Sequence, residues 1–247
     1  MERNLTTGSV FKNITYFSLP YLLSYFLQTL YGMADLFIIG QFENDVAGTT
    51  AVSIGSQVMH MITVMIVGLA MGTTVTIAQA VGGNDKKRTS SAIGNTVTLF
   101  LCVSVVLMAV LIFFVRPITG LMSTPSEAVE GTVQYLTICF IGIPCITAYN
   151  IISSVFRGLG DSKSPMYFIA VACGANIILD YLFMGVLNLG PSGAALGTTL
   201  SQAVSVIMAL IFIHKKDMGI SFGRKDCILK KDVLGQILRI GIPVALQ

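Results

Sequence analysis

Two acidic residues, Asp35 and Asp180, lie inside apolar stretches of the chain. An ionised Asp at the centre of a spanning helix costs about 2.5–3.5 kcal/mol on insertion scales, so such residues face a cavity or partners and mark ion paths. Their neighbours bear oxygens. Asn176 stands four residues before Asp180, on the same helical face, and Tyr31 stands four before Asp35. Thr198 falls about five residues into the apolar run that begins at Gly193. Carboxylate, amide and hydroxyl oxygens together suit a small hard cation. The candidate Na+ ligands are therefore Asp35, Asn176, Asp180 and Thr198. A proton would suit the same group, because one of two neighbouring carboxyls tends to hold one. The residues leave Na+ and H+ both open.

Composition says what must position these side chains. Of 247 residues, 54% are hydrophobic and 11% charged, with a mean hydropathy of +0.80. A soluble domain carries roughly 25% charged residues and needs them to cover its surface. A soluble enzyme, a disordered tail and a disulfide scaffold are all excluded. A net charge of +3 is too small to suggest a nucleic-acid partner. The five Cys are scattered without a C-x-x-C spacing, and His60 is a lone imidazole in an apolar stretch. Neither provides the nucleophile-and-base pair or metal motif of an intramembrane enzyme. The chain reads as a non-enzymatic, all-α membrane protein, its first partner the lipid bilayer, with no cofactor beyond a coupling ion.

A spanning helix needs about 20 apolar residues. Six spans fit, at 14–39, 47–72, 92–115, 132–155, 166–187 and 193–213, with the turn Asn188–Gly193 splitting the last long stretch. The apolar segment after Lys12 is longer than a signal h-region, so it reads as a retained first helix. With the N-terminus inside, the inner segments hold fourteen Lys and Arg and the outer loops only Arg116. The positive-inside rule makes the N-terminus cytoplasmic, in a multi-pass protein of the cell membrane. At 1.5 Å per residue, Asp35 and Asp180 then lie at similar depth, ~6–12 Å below the outer boundary, and Thr198 lies at that level too. Pro20 favours a bend low in the first helix. Tyr16, Tyr25, Tyr135 and Tyr167 are candidates for an interfacial aromatic belt.

The chain turns apolar again after Lys231. Ile237-to-Pro243 matches Ile14-to-Pro20 at Ile, a small residue and Pro, offset by 223 positions. An even number of spans lets a second copy enter from the same side, giving parallel repeats. The expected organisation is a six-helix lobe over 1–213, a cytoplasmic inter-lobe loop over 214–232, and the start of a seventh helix over 233–247. A C-terminal six-helix lobe would complete the protein.

Four motifs carry a family resemblance. They are Met33-Ala34-Asp35 through Gly40; Gln79 with Gly82-Gly83-Asn84-Asp85 and Arg88; Phe156-Arg157-Gly158-Leu159-Gly160-Asp161-Ser162-Lys163-Ser164-Pro165; and Asn176-x-x-x-Asp180 with Gly193-Ala194-Ala195-Leu196-Gly197-Thr198. With them the whole chain resembles the N-terminal lobe of multidrug and toxic compound extrusion (MATE) transporters. The resemblance implies two six-helix lobes around an alternating cleft, and export of small cationic, amphipathic compounds driven by Na+ or H+. It implies ion-coupling roles for Asp35, Asn176, Asp180, Thr198 and Tyr31. It also implies gating or structural roles at the cytoplasmic side for Arg88, Arg157, Gly158, Gly160 and Asp161. Two rivals have distinct signatures. A lipid-linked oligosaccharide flippase would place cations inside the spans to meet phosphates, and a non-transporting scaffold would not need intramembrane carboxylates.

Overall fold

The computed structural model describes residues 8–42, 46–215, 226 and 228–246. Helix is the only regular structure among them. Long apolar helices are α1 (Val10–Phe42), α2 (Val46–Gly82) and α3 (Lys86–Phe113). A short α4 (Val115–Leu121) and a 3-10 turn (Ser126–Ala128) lead into α5 (Val129–Ile141) and α6 (Ile143–Gly158). Then come α7 (Lys163–Asp180), a π-helical turn (Tyr181–Val186), α8 (Gly190–Lys215) and α9 (Lys231–Ala245). The reason is the solvent: in lipid every backbone polar group must be paired within its own segment, which helix achieves.

Five helices, counting α7 with its π turn, are long and apolar enough to cross a membrane; α5 and α6 together supply a sixth crossing. The six expected spans are thus present, with one correction. The fourth is not a straight rod over 132–155, because α5 and α6 meet at 49°. Pro144 has no N–H for the Phe140 carbonyl, and Gly142 admits the Thr199 side chain, 2.6 Å from where a Cβ would stand. Pro20, by contrast, sits inside a continuous α1, where the Ser24 hydroxyl donates to the Pro20 carbonyl at 2.8 Å.

Turn chemistry fixes the helix starts. Asp85 caps α3 by accepting from the Arg88 N–H at 2.9 Å, after Asn84 turns the chain at φ 53°. Asp161 accepts from the Lys163 and Ser164 N–H groups at 3.1 and 3.0 Å and from the Ser164 hydroxyl at 2.7 Å, opening α7. The turn expected at Asn188–Gly193 is present, with Asn188 and Gly190 at positive φ.

α2 is the central post, packed against α9, α6, α5 and α3, while α7 lies between α1 and α8. One apolar core joins Ile38 and Ile39 of α1 to Val58, Ile62 and Ile66 of α2 and Leu136 and Phe140 of α5. A second closes around Phe156, Phe168 and Phe212, whose ring centroids lie 5.6–5.9 Å apart. Tyr135 is 1% exposed and packs against Gly55, so it belongs to the core and not to an aromatic belt. His60 is exposed on α2 rather than packed. The connecting loop 214–232 falls largely outside the described residues, as does Cys227. Beyond it, Lys231–Ala245 is helical and lies along α2, beginning two residues before the expected seventh helix.

Candidate ion-coupling site

Three helices bring the expected ligands together. α1 supplies Tyr31 and Asp35, α7 supplies Asn176 and Asp180, and α8 supplies Thr198. The four-residue spacings within α1 and α7 stack each pair on one face. Burial is close to complete: Asn176 and Asp180 are 0% exposed and Asp35 is 2% exposed. Thr198 donates its hydroxyl to Asp35 Oδ2 at 2.9 Å. The Tyr31 hydroxyl lies 2.8 Å from the Thr198 carbonyl and 2.6 Å from Ser201 Oγ, closing the chamber on one side. Asp180 and Asn176 adjoin the Asp35 carboxyl.

The remaining polar atoms have no partner. Asp35 Oδ1, both Asp180 oxygens and both Asn176 amide atoms are buried without a hydrogen bond. Buried polar groups in native proteins are almost always paired, and a cluster of unpaired acceptors invites a cation or proton. The oxygens of Asp35, Asp180, Asn176 and Thr198 supply a set that a monovalent cation could share. Among the described residues, no three His, Cys, Asp or Glu gather to hold a metal ion more strongly. Carboxyl, amide and hydroxyl groups are the kinds of group that hold a small cation or a proton.

Three features of the chamber were not read from sequence. Gly197 lies so close to Asp180 that a Cβ there would fall on Asp180 Oδ1. Its only signal was membership of a run of small residues. After Asp180 the helix widens into the π turn Tyr181–Val186; such turns frequently mark functional sites, and nothing in the residue pattern announces this one. Ser201, three residues after Thr198, could have been found by helical spacing.

The implied gating residues sit elsewhere. Asp161 opens α7, about 28 Å along the helix from Asp180 at 1.5 Å per residue. Gly160 turns the chain there at φ 88°, and Gly158 abuts Ile77 of α2. The Arg157 guanidinium lies over the Tyr21 ring at 5.3 Å and donates to Ser154 Oγ at 3.1 Å. Lys163 Nζ lies over the Tyr16 ring at 4.6 Å, so two cations hold α1 on either side of Pro20. Arg88 donates to Gln236 Oε1 at 2.8 Å, and Gln236 Nε2 to Gln79 Oε1 at 2.7 Å. These residues tie helices together at one end of the bundle, away from the carboxylates.

This fold has counterparts. The MatE family model matches residues 20–182, and the chain belongs to that family. It is 35% identical over 246 residues to the probable multidrug resistance protein YpnP of Bacillus subtilis, covering 99% of this chain and 54% of that relative. It is 28% identical to the probable multidrug resistance protein NorM of Thermotoga maritima, covering 96% and 51%. A crystal structure of a MATE protein in the bent conformation superposes with a TM-score of 0.91 at 28% identity, covering 97% of this chain and 53% of that one. An outward-facing MATE transporter of the MOP superfamily gives 0.89 at 27% identity, over 97% and 53%. The chain spans about half the length of the relatives it matches.

Proposed function

We propose that this chain forms the ion-coupling six-helix lobe of a multidrug exporter driven by inward movement of Na+ or H+. The reading rests on one observation: five buried polar atoms of Asp35, Asn176 and Asp180 lie together without partners, beside the Thr198 hydroxyl. Similarity to proteins named for multidrug resistance supports drug-like substrates; in this reading they are small, cationic and amphipathic and are moved outward. In this reading residues 1–213 make the lobe, 214–232 the inter-lobe loop and 233–247 the entry to a second lobe that lines the other wall of the cleft. The N-terminus lies in the cytoplasm, and the protein crosses the cell membrane repeatedly, as the distribution of Lys and Arg suggests.

An ion drives alternation only if the two access states differ in affinity for it. A chamber built from three separate helices meets that requirement naturally, because a small shift of α1 against α7 and α8 changes how many oxygens converge. Among the described residues, every Lys and Arg of α1 to α8 stands within a few residues of a helix end, so the phosphate-handling cavity of a flippase finds no support.

The test is efflux by the full-length protein in vesicles, with sodium and pH gradients imposed separately. Asp35→Asn and Asp180→Asn should each abolish gradient-driven export while leaving membrane insertion intact. Export at the parent rate by both variants would refute the assignment. Whichever gradient drives the parent names the coupling ion.

A further inference from the structure

Asn95 on α3 is 0% exposed, yet its amide bonds to backbone more than 130 residues further along the chain. Nδ2 donates to the carbonyls of Asp226 and Ile228 at 3.3 and 3.1 Å, and to the Ser91 carbonyl at 2.8 Å. Oδ1 accepts from the Lys230 N–H at 2.6 Å. Lys230 adds a bond from Nζ to Ser91 Oγ at 2.7 Å. The amide thus meets two carbonyls and then an N–H of a segment that is extended at Lys230, at φ −103° and ψ 122°, much as a neighbouring strand would. A primary amide offers both a donor and an acceptor; a carboxylate, an ammonium or a hydrocarbon of that size does not.

The strap ends where α9 begins, and α9 lies close against α2. A Cβ on Gly72 would fall on the Ile237 carbonyl, and one on Gly241 would lie 2.6 Å from the Leu69 carbonyl, so the two backbones touch. Val233 and Ile237 join the core formed by Ala70, Ile77, Ala92 and Phe100. The superposition on the bent MATE structure covers 97% of the chain, leaving out fewer residues than the fifteen of α9, so part of α9 is included in it.

We propose that Asn95 is a tie point that keeps Asp226 and residues 228–230 strapped to α3 throughout the transport cycle. α9 then turns about a fixed point at the basic end of the bundle instead of following a slack linker. A slack connection would let the six-helix lobe move without moving α9, and coupling between ion and substrate would weaken. Asn95 touches neither; it is a positioning residue. The transport arm of the test rests on the exporter reading above, whereas the cross-linking arm does not.

The experiment uses full-length protein with its native cysteines replaced. Asn95→Leu should insert normally and show gradient-driven efflux about tenfold lower, in the range of ordinary coupling free energies. Ser91→Cys paired with Lys230→Cys should be bridged in high yield by a short bis-maleimide, which replaces the reach of the lysine side chain, without loss of efflux. The same bridge should restore efflux to the Asn95→Leu protein, a rescue that a merely damaged fold would not show. If Asn95→Leu fails to insert, Asn95→Ser carries the same comparison. Parent-level efflux by the uncross-linked variant, loss of efflux on cross-linking the parent, or absence of rescue would overturn the proposal. A cross-link yield no higher than that of Ser91→Cys with Ile242→Cys would overturn it whatever the transport result. A cysteine-free parent that ignores both gradients would instead count against the exporter reading, with the cross-link yield still deciding the strap.

Discussion

Thr198 on α8 donates its hydroxyl to Asp35 on α1 at 2.9 Å, across 163 residues of sequence. That bond occupies one carboxylate oxygen, and the other, Oδ1, is buried without a hydrogen-bond partner. In the proposed site the bond would orient the Asp35 carboxyl and leave Oδ1 to an ion.

Thr198→Val keeps the side-chain shape and removes the donor. A hydrogen bond to a charged group contributes roughly 1.5–3 kcal/mol and favours the ionised carboxyl, so its loss should raise affinity about 10- to 100-fold where the coupling ion is H+. Where it is Na+, the loss of a ligand oxygen should lower affinity, and Thr198→Ser should stay near the parent in either case. Titrating the ion dependence of efflux in full-length protein checks both, and equal affinities for Val and Thr would remove Thr198 from the site.

Gly197→Ala should impair the chamber from behind, because its Cβ would fall on Asp180 Oδ1. Gly174, on the exposed face of α7, has open space around its Cβ position. There Ala should be tolerated and should stabilise the helix by about 0.5–1 kcal/mol. The pair is compared by ion affinity and by thermal unfolding in detergent. The expected pattern is loss of affinity at 197 and none at 174.

Asp161→Ala removes the acceptor for two N–H groups and one hydroxyl at the start of α7. Loss of such a cap costs about 0.5–2 kcal/mol. The measurement is the unfolding midpoint in detergent, which should drop, with Asp161→Asn intermediate. The ion affinity of protein that remains folded should be unchanged, since Asp161 opens α7 and Asp180 ends it.

Gly72→Leu tests the seam between α2 and α9. The Cβ would meet the Ile237 carbonyl, and backbone cannot yield as a side chain can. Overpacking of this kind costs about 1–3 kcal/mol. Folded yield and thermal midpoint should both fall, whereas Gly235→Ala, in open space on α9, should leave them unchanged.

The helices and their number were legible in the sequence, because the requirement for apolar length acts residue by residue along the chain. So were the candidate ligands. A carboxylate such as Asp35 or Asp180 inside lipid is conspicuous by its cost alone, and the four-residue step from Asn176 to Asp180 places both on one face before any packing is known. The turn at Asn188–Gly193 and the cap at Asp161 are likewise local chemistry. What only the tertiary structure decided is which faces meet. The bend at Gly142 needs Thr199 from another helix to fill it, and the burial of Tyr135 needs Gly55 opposite. The closeness of Gly197 to Asp180 and the hold of Asn95 on Lys230 depend on helix rotation and depth, set by side chains that interlock across long sequence separations. Hydropathy averages over a whole helix and carries no record of that rotation, whereas packing at near-crystalline density permits very few choices of it.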